Sequence, residues 1–161
     1  MTGPVSPASA PPRADELEAM QASLREAREA AQAGEVPVGA VVVRNGVIIA
    51  HAQNRMKRDA DVTAHAEVLA MRAAMRHLGE DRLTGCTLVV TLEPCAMCAG
   101  AIVLSRIDRV VIGAWDDKAG MCGSVGDVVR HPRLNHRPEV QGGVLEAESA
   151  ALLREFFSAR R

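Results

Sequence analysis

Aromatic side chains are almost missing from this 161-residue chain, which has no tyrosine, two phenylalanines and one tryptophan. A sheet that reads RNA by stacking several bases on its surface is thereby excluded. Long apolar runs are missing too, and nothing approaches the eighteen residues of a membrane span. The opening MTGPVSPASAPPR has neither an early basic region nor an apolar stretch, so it does not read as a secretory signal. Its Pro, Ala and Ser content predicts a disordered tail over residues 1–14. Cysteine is scarce: four residues, two of them in a C-x-x-C. That suits a metal in a reducing compartment better than a disulfide framework, and the expected location is cytoplasmic. Charge of one sign is also lacking, since the formal net charge is −1. Overall charge therefore gives no nucleic-acid signal, although Arg130, Arg133 and Arg137 cluster late and the chain ends in Arg160 and Arg161. Such clusters are usually solvated surface and become a footprint only when they line one face.

The 48% hydrophobic content is enough for a core, and the length suits one domain, expected over residues 15–161. Leu17, Met20, Leu24, Ala27 and Ala31 recur at helical spacing over residues 15–33, with Gly34 placed to end the helix. Two β-rich runs, 39–44 and 47–50, flank Asn45-Gly46, a strong hairpin signal. A polar loop, 54–63, leads to a second helix over 65–78 with Val68, Met71, Met75 and Leu78 on one side. Residues 87–92 form a continuous apolar run, hence a buried strand. Pro94 suits the start of a third helix, 95–105. A further strand is expected at 109–114, at most one helical turn within 115–138, a short strand at Val144-Leu145, and a final helix at 149–160. Strands alternating with helices predict an α/β fold in three layers, a mixed central sheet flanked by helices.

Chemistry concentrates in residues 65–98. His65-Ala66-Glu67 is followed thirty positions later by Pro94-Cys95-Ala96-Met97-Cys98. One imidazole and two thiols can hold a zinc ion and leave the fourth tetrahedral position open, which marks a catalytic site. Each motif opens a helix, so two helix N-termini can face each other across the metal. Cys95 and Cys98 are three apart, on one helical face, where the positive helix end favours thiolate. Glu67 is placed to move protons without binding the metal. Each motif alone is weak: C-x-x-C also describes a redox pair or half of a structural zinc site, and a lone histidine on a helix is more often core or surface. Cys86, Cys122 or His51 could complete a structural four-ligand site. The conjunction of both motifs, in order and each at a helix start, favours catalysis.

The H-x-E…P-C-x-x-C order resembles the zinc nucleobase deaminases. The flanking blocks EVPVGAVVV (35–43), TAHAE (63–67), TLEPCAMCAGA (91–101), SRIDRVVIGA (105–114) and HPRLNHR (131–137) narrow the resemblance to bacterial tRNA adenosine deaminases. That resemblance implies the cytidine-deaminase-like fold, zinc ligands His65, Cys95 and Cys98, and Glu67 as proton shuttle. It implies that Asn54 bonds the flipped base, with Val36, Pro37 and Gly39 as one wall and the Ala66 amide opposite. It further implies a homodimer that converts the wobble adenosine of an arginine tRNA to inosine. The Asp116 region and the terminal helix would meet the anticodon stem-loop, with Arg130, Arg133, Arg137, Phe157, Arg160 and Arg161 as RNA contacts. Two positions depart from the pattern: Trp115, where a polar or small residue is expected, and Met56, where proline is common. A free nucleobase deaminase of guanine or cytosine type would share the zinc motifs. A non-enzymatic zinc-stabilised RNA-binding module would leave Glu67 without a role, and a redox protein would cycle a disulfide.

Overall fold

The computed structural model describes residues 11–160. The tail expected over residues 1–14 lies mostly outside the described residues, as does Arg161. Nine elements follow in order: α1 (Ala14–Gln32), β1 (Gly39–Arg44), β2 (Val47–Gln53), α2 (Ala66–Leu78), β3 (Cys86–Leu92), α3 (Ala96–Ser105), β4 (Arg109–Ala114), β5 (Glu139–Gln141) and α4 (Glu146–Ser158). The strands form one mixed sheet in the order β2-β1-β3-β4-β5. β1 pairs antiparallel with β2 and β3, whereas β3–β4 and β4–β5 are parallel. The hairpin between β1 and β2 turns through Asn45 and Gly46, both at positive φ (52° and 76°), as a tight primed turn requires.

Strand alternation divides the core into two layers. Val42, Leu88, Val90, Val110 and Ile112 face α2 and α3, meeting Ala70, Met71, Ala74, Ala99 and Ile102. Val41, Val43, Val89 and Val111 face the other way, onto Ala19, Met20 and Leu24 of α1 and Leu152 of α4. The three-layer arrangement expected from the sequence is the one observed. Gly39 lets α1 sit directly on β1: a Cβ there would lie 1.9 Å from the Ser23 carbonyl oxygen.

Several expectations need correction. The buried face of α1 is Glu16, Ala19, Met20, Ser23, Leu24, Ala27 and Ala30, while Leu17 is exposed. Small and polar residues that approach the sheet closely carried no apolar signal. Val144-Leu145 is not a strand: it is the turn into α4, with Leu145 as N-cap at φ 51°. The last strand is instead Glu139–Gln141, too short and mixed to show a period. Pro94 precedes the N-cap, Cys95, rather than opening the helix. The segment between β4 and β5 holds turns and one isolated bridge, Cys122 to Asp127, but no helix.

This topology gathers one end of the sheet. Because β1 runs against β2 and β3, the residues entering β1 (36–38) lie beside those leaving β2 (Asn54), β3 (Glu93 to Cys95) and, one strand further, β4 (Trp115, Asp116). The N-termini of α2 and α3 open at the same edge, a crevice where α/β sheets commonly take ligands.

Candidate metal centre and adjoining cavity

His65 and Cys95 are the N-cap residues of α2 and α3, both in extended backbone. Their side chains point forward rather than around the helix, and Cys98, one turn in, joins them. His65 Nδ1 lies 3.6 Å from Cys95 Sγ and 3.5 Å from Cys98 Sγ. The three ligand atoms all lie within 4.8 Å of one another, and no fourth His, Cys, Asp or Glu joins them among the described residues. Tetrahedral zinc with Zn–N of about 2.05 Å and Zn–S of about 2.3 Å holds N and S roughly 3.5 Å apart. The residues present therefore fit one zinc ion. Hydrogen bonds from Cys98 and His65 hold the Cys95 thiol down to about 3. The Cys98 thiol, which donates to Cys95 and is buried, is pushed up. A cation there replaces the shared protons and makes both groups thiolate. The three residues considered as a fourth ligand lie elsewhere. Cys86 starts β3, Cys122 sits in the segment between β4 and β5, and His51 Nδ1 pairs with Glu26 at 2.6 Å.

Glu67 is 4% exposed. Burial pushes its carboxyl above the usual carboxylate range. It lines a cavity of about 210 Å³ together with His65, Cys95, Ala66, Asn54, Val36, Val38, Met56, Leu92, Glu93, Asp116 and Ala119. Pockets for drug-sized ligands run to about 300–1,000 Å³, so this one suits a single heterocycle. Asn54, 6% exposed, presents its carboxamide there: Nδ2 donates to the Val36 carbonyl at 3.5 Å and Oδ1 accepts from the Met56 N–H at 3.4 Å. Both bonds are long, leaving the amide able to turn to a ligand. A proline at position 56 could not donate, so the methionine adds an amide bond as well as a flexible wall.

The expected wall is partly corrected. Val36 and Ala66 line the cavity, but Pro37 and Gly39 do not, and Val38 does. Gly39 faces α1 instead, the direction opposite to Val38 along an extended chain. Asp116 lies at the mouth, its Oδ1 accepting from the N–H groups of Lys118 and Ala119.

Two buried carboxylates escaped the sequence reading. Glu35, 1% exposed, accepts from the N–H groups of Lys57 (3.1 Å) and Arg58 (2.8 Å) and from Arg58 Nε (3.2 Å). Arg58 also donates to the Asn54 carbonyl at 2.6 Å, so this pair shapes the loop that carries Asn54. Burial raises the Glu35 carboxyl, but those donors outweigh it and hold it below its ordinary value. Glu93, 2% exposed, accepts from the N–H groups of Asp116, Cys122 and Ser124 and from the Ser124 hydroxyl. It ties down the loop that covers the cavity. The available signal was position: each is a carboxylate set directly against apolar residues and proline, in Glu35-Val36-Pro37 and Leu92-Glu93-Pro94.

A larger groove of about 940 Å³ shares Val36, Leu92 and Asp116 with the cavity and continues between Trp115 and α4. Phe157 and Arg160 line it, with Arg154 and Lys118 adding positive charge against Asp117. Among the other expected RNA contacts, Arg161 lies outside the described residues, and Arg130, Arg133 and Arg137 are not in this groove. Arg130 is paired with Asp127 at 2.7 Å and donates to the Cys122 carbonyl, Arg137 donates to the Pro132 carbonyl, and Arg133 is exposed.

The model of the cytidine and deoxycytidylate deaminase zinc-binding region matches residues 13–114. A tRNA-specific adenosine deaminase of Bacillus subtilis is 49% identical over 142 residues, covering 88% of each chain. A solved structure from a study of A-to-I editing by tRNA:A34 deaminases at the wobble position superimposes with a TM-score of 0.80 at 46% identity, over 84% of this chain and 99% of that one. A guanine deaminase from Nitrosomonas europaea superimposes with a TM-score of 0.73 at 27% identity, over 98% and 89% of the two chains.

Proposed function

The chain belongs to the zinc-binding family of cytidine and deoxycytidylate deaminases, and on that footing we propose that it hydrolyses adenosine to inosine at the wobble position of a tRNA anticodon. One observation carries the reading: of a zinc-fitting cluster of His65, Cys95 and Cys98, the first two share with a buried Glu67 the wall of a cavity sized for one base. The similarity to wobble-position tRNA deaminases at 46–49% identity supports adenosine as the substrate. The likeness to a guanine deaminase at 27% makes a free base the alternative.

His65, Cys95 and Cys98 hold the zinc. When bound, it supplies the Lewis acidity that brings the pKa of water toward about 7. Glu67 takes a proton from the attacking water and delivers it to the ring nitrogen next to C6, then takes the second proton from the hydroxyl now on C6 and delivers it to the departing amine. Adenosine and water thus yield inosine and ammonia. A carboxyl raised by burial is suited to serve as base and then acid near neutral pH. Asn54 turns its amide to the ring edge, the Ala66 amide faces it, and Val36, Val38 and Leu92 exclude bulk water. Asp116 guards the mouth, and Glu35 and Glu93 position the two loops. An adenine in an anticodon loop is unpaired, so its extrusion into the cavity costs less than from a duplex.

The substrate is an arginine-type anticodon stem-loop. Phe157 and Arg160 meet its backbone and bases along the groove, with Arg133 and Arg137 further out, and Arg161, outside the described residues, is a further RNA contact of this reading. The ion pair of Arg130 with Asp127 makes that residue a brace for the loop. The working unit is a homodimer. Met97 and Leu104, seven apart on one face of α3, are 36% and 80% exposed and offer apolar surface to a second copy. Zinc-loaded protein is expected to form inosine in the stem-loop. Ammonia from free guanine alone would favour the alternative.

A further inference from the structure

Trp115 is the chain's only tryptophan, and it stands where the family resemblance calls for a polar or small residue. It is the first residue beyond β4, at the sheet edge that builds the cavity. Two observations fix its setting. Its indole sits directly beside the Gly142 backbone: a Cβ on Gly142 would lie 2.0 Å from Cζ2 and 2.6 Å from Cε2, so only glycine leaves room for the ring. Its remaining surface is half-buried and lines the groove that runs out of the cavity, with Phe157, 48% exposed, and Arg154 also lining it. A ring held by the Gly142 backbone and the core, with part of its surface lining the groove, loses little freedom when something stacks on it. The groove adjoins the cavity through Val36, Leu92 and Asp116, so it is within reach of a nucleotide covalently next to a base in the cavity.

We propose that Trp115 is a specificity-determining residue that stacks a nucleobase adjoining the target adenine. The proposal rests on the reading of the substrate as an RNA loop. Stacking fits the chemistry of the groove: an indole gives a sequence-tolerant face, while Lys118, Arg154 and Arg160 supply cations for the phosphates between the two bases. Asp116 and Asp117 lie on the same rim and disfavour phosphate there, which pushes the backbone toward the α4 side and leaves the base toward the indole. The competing view is that the indole only plugs the space over Gly142. A plug contributes to stability and does not sense RNA.

The test uses the full-length zinc-loaded protein and three anticodon stem-loops: one intact, one abasic just 5′ and one abasic just 3′ of the target adenosine. Affinity, inosine formation and melting temperature are measured for wild type, Trp115→Phe and Trp115→Leu. Stacking is worth about a tenfold change in affinity per base. Wild type is expected to lose about tenfold with one of the two abasic loops and to show quenched tryptophan emission on binding the intact loop. Trp115→Leu should bind the intact loop about tenfold more weakly, as a rise in KM more than a fall in kcat, and should no longer distinguish that abasic loop. Trp115→Phe should recover most of the loss. Gly142→Ala, which keeps the indole but displaces it, should behave like Trp115→Leu in the abasic comparison. Equal abasic penalties in wild type and Trp115→Leu, or a melting-temperature loss with unchanged RNA affinity, would overturn the proposal while leaving the substrate reading intact. Absence of inosine in any loop would overturn the substrate reading and this proposal with it.

Discussion

In the proposed mechanism Glu67 carries the demand that the chemistry makes on a single side chain. It must be ionised to accept the first proton, so activity is lost as pH falls through its pKa. Burial raises that pKa, so the acidic limb of kcat/KM is expected above the ordinary value of 4.5. A pH–rate profile checks this, and a limb at or below 4.5 would contradict it. Glu67→Gln keeps the shape but not the proton transfer, and turnover should fall by about 10²–10⁴-fold with zinc content unchanged. His65→Ala or Cys95→Ala should instead abolish stoichiometric zinc, as metal analysis of the purified variants will show. The convergence of His65, Cys95 and Cys98 was legible in the sequence because the spacing of the two motifs suits a shared metal. Glu35 and Glu93 were not, because a carboxylate that binds backbone N–H groups of a distant loop leaves no local pattern. The wall residues were half legible: Val36 was found, but Val38 was missed in favour of Pro37 and Gly39, since a resemblance block does not say which alternate residue faces the cavity.

At the level of elements, two loops decide whether the cavity is preorganised. Glu35 holds the Asn54 loop through two backbone N–H groups and Arg58. Its folded-state pKa is lowered, so its contribution is complete above about 4.5 and is lost as pH falls through the lower, folded value. Glu35→Gln should remove that pH dependence and cost roughly 2 kcal/mol near neutrality, read from denaturant unfolding. Stability that rises in Glu35→Gln at neutral pH would refute the clamp. Gly39→Ala tests the α1–β1 contact: with the Ser23 carbonyl 1.9 Å from the new Cβ, α1 must shift, at roughly 1–3 kcal/mol. Periodicity found α2, β3 and β4 because each buries a regular apolar face. It missed β5, three residues long, and found only Met20, Leu24 and Ala27 of the buried face of α1, where Glu16, Ser23 and further alanines also pack inward. Parallel pairing on a neighbour and backbone proximity govern those segments, and neither is written in hydrophobicity.

The whole molecule combines a nearly neutral chain with a locally cationic groove, so attraction to RNA must come from placement rather than from net charge. Three cations, Lys118, Arg154 and Arg160, line the groove. If they meet phosphates, the logarithm of the stem-loop affinity should fall with the logarithm of salt at a slope of about −2 to −3. A flat dependence would mean that the groove does not hold the RNA backbone. Leu104→Glu places a charge on the most exposed apolar side chain of α3 and, if the proposed dimer packs there, should shift the protein toward monomer in sedimentation. The most direct test is a deamination assay on one zinc-loaded preparation. It offers an arginine-type anticodon stem-loop with wobble adenosine beside free adenine, guanine and cytosine, with Glu67→Ala as control. Inosine confined to the stem-loop and absent from the control is the expected result; turnover of a free base without the stem-loop, or inosine persisting in Glu67→Ala, would contradict it.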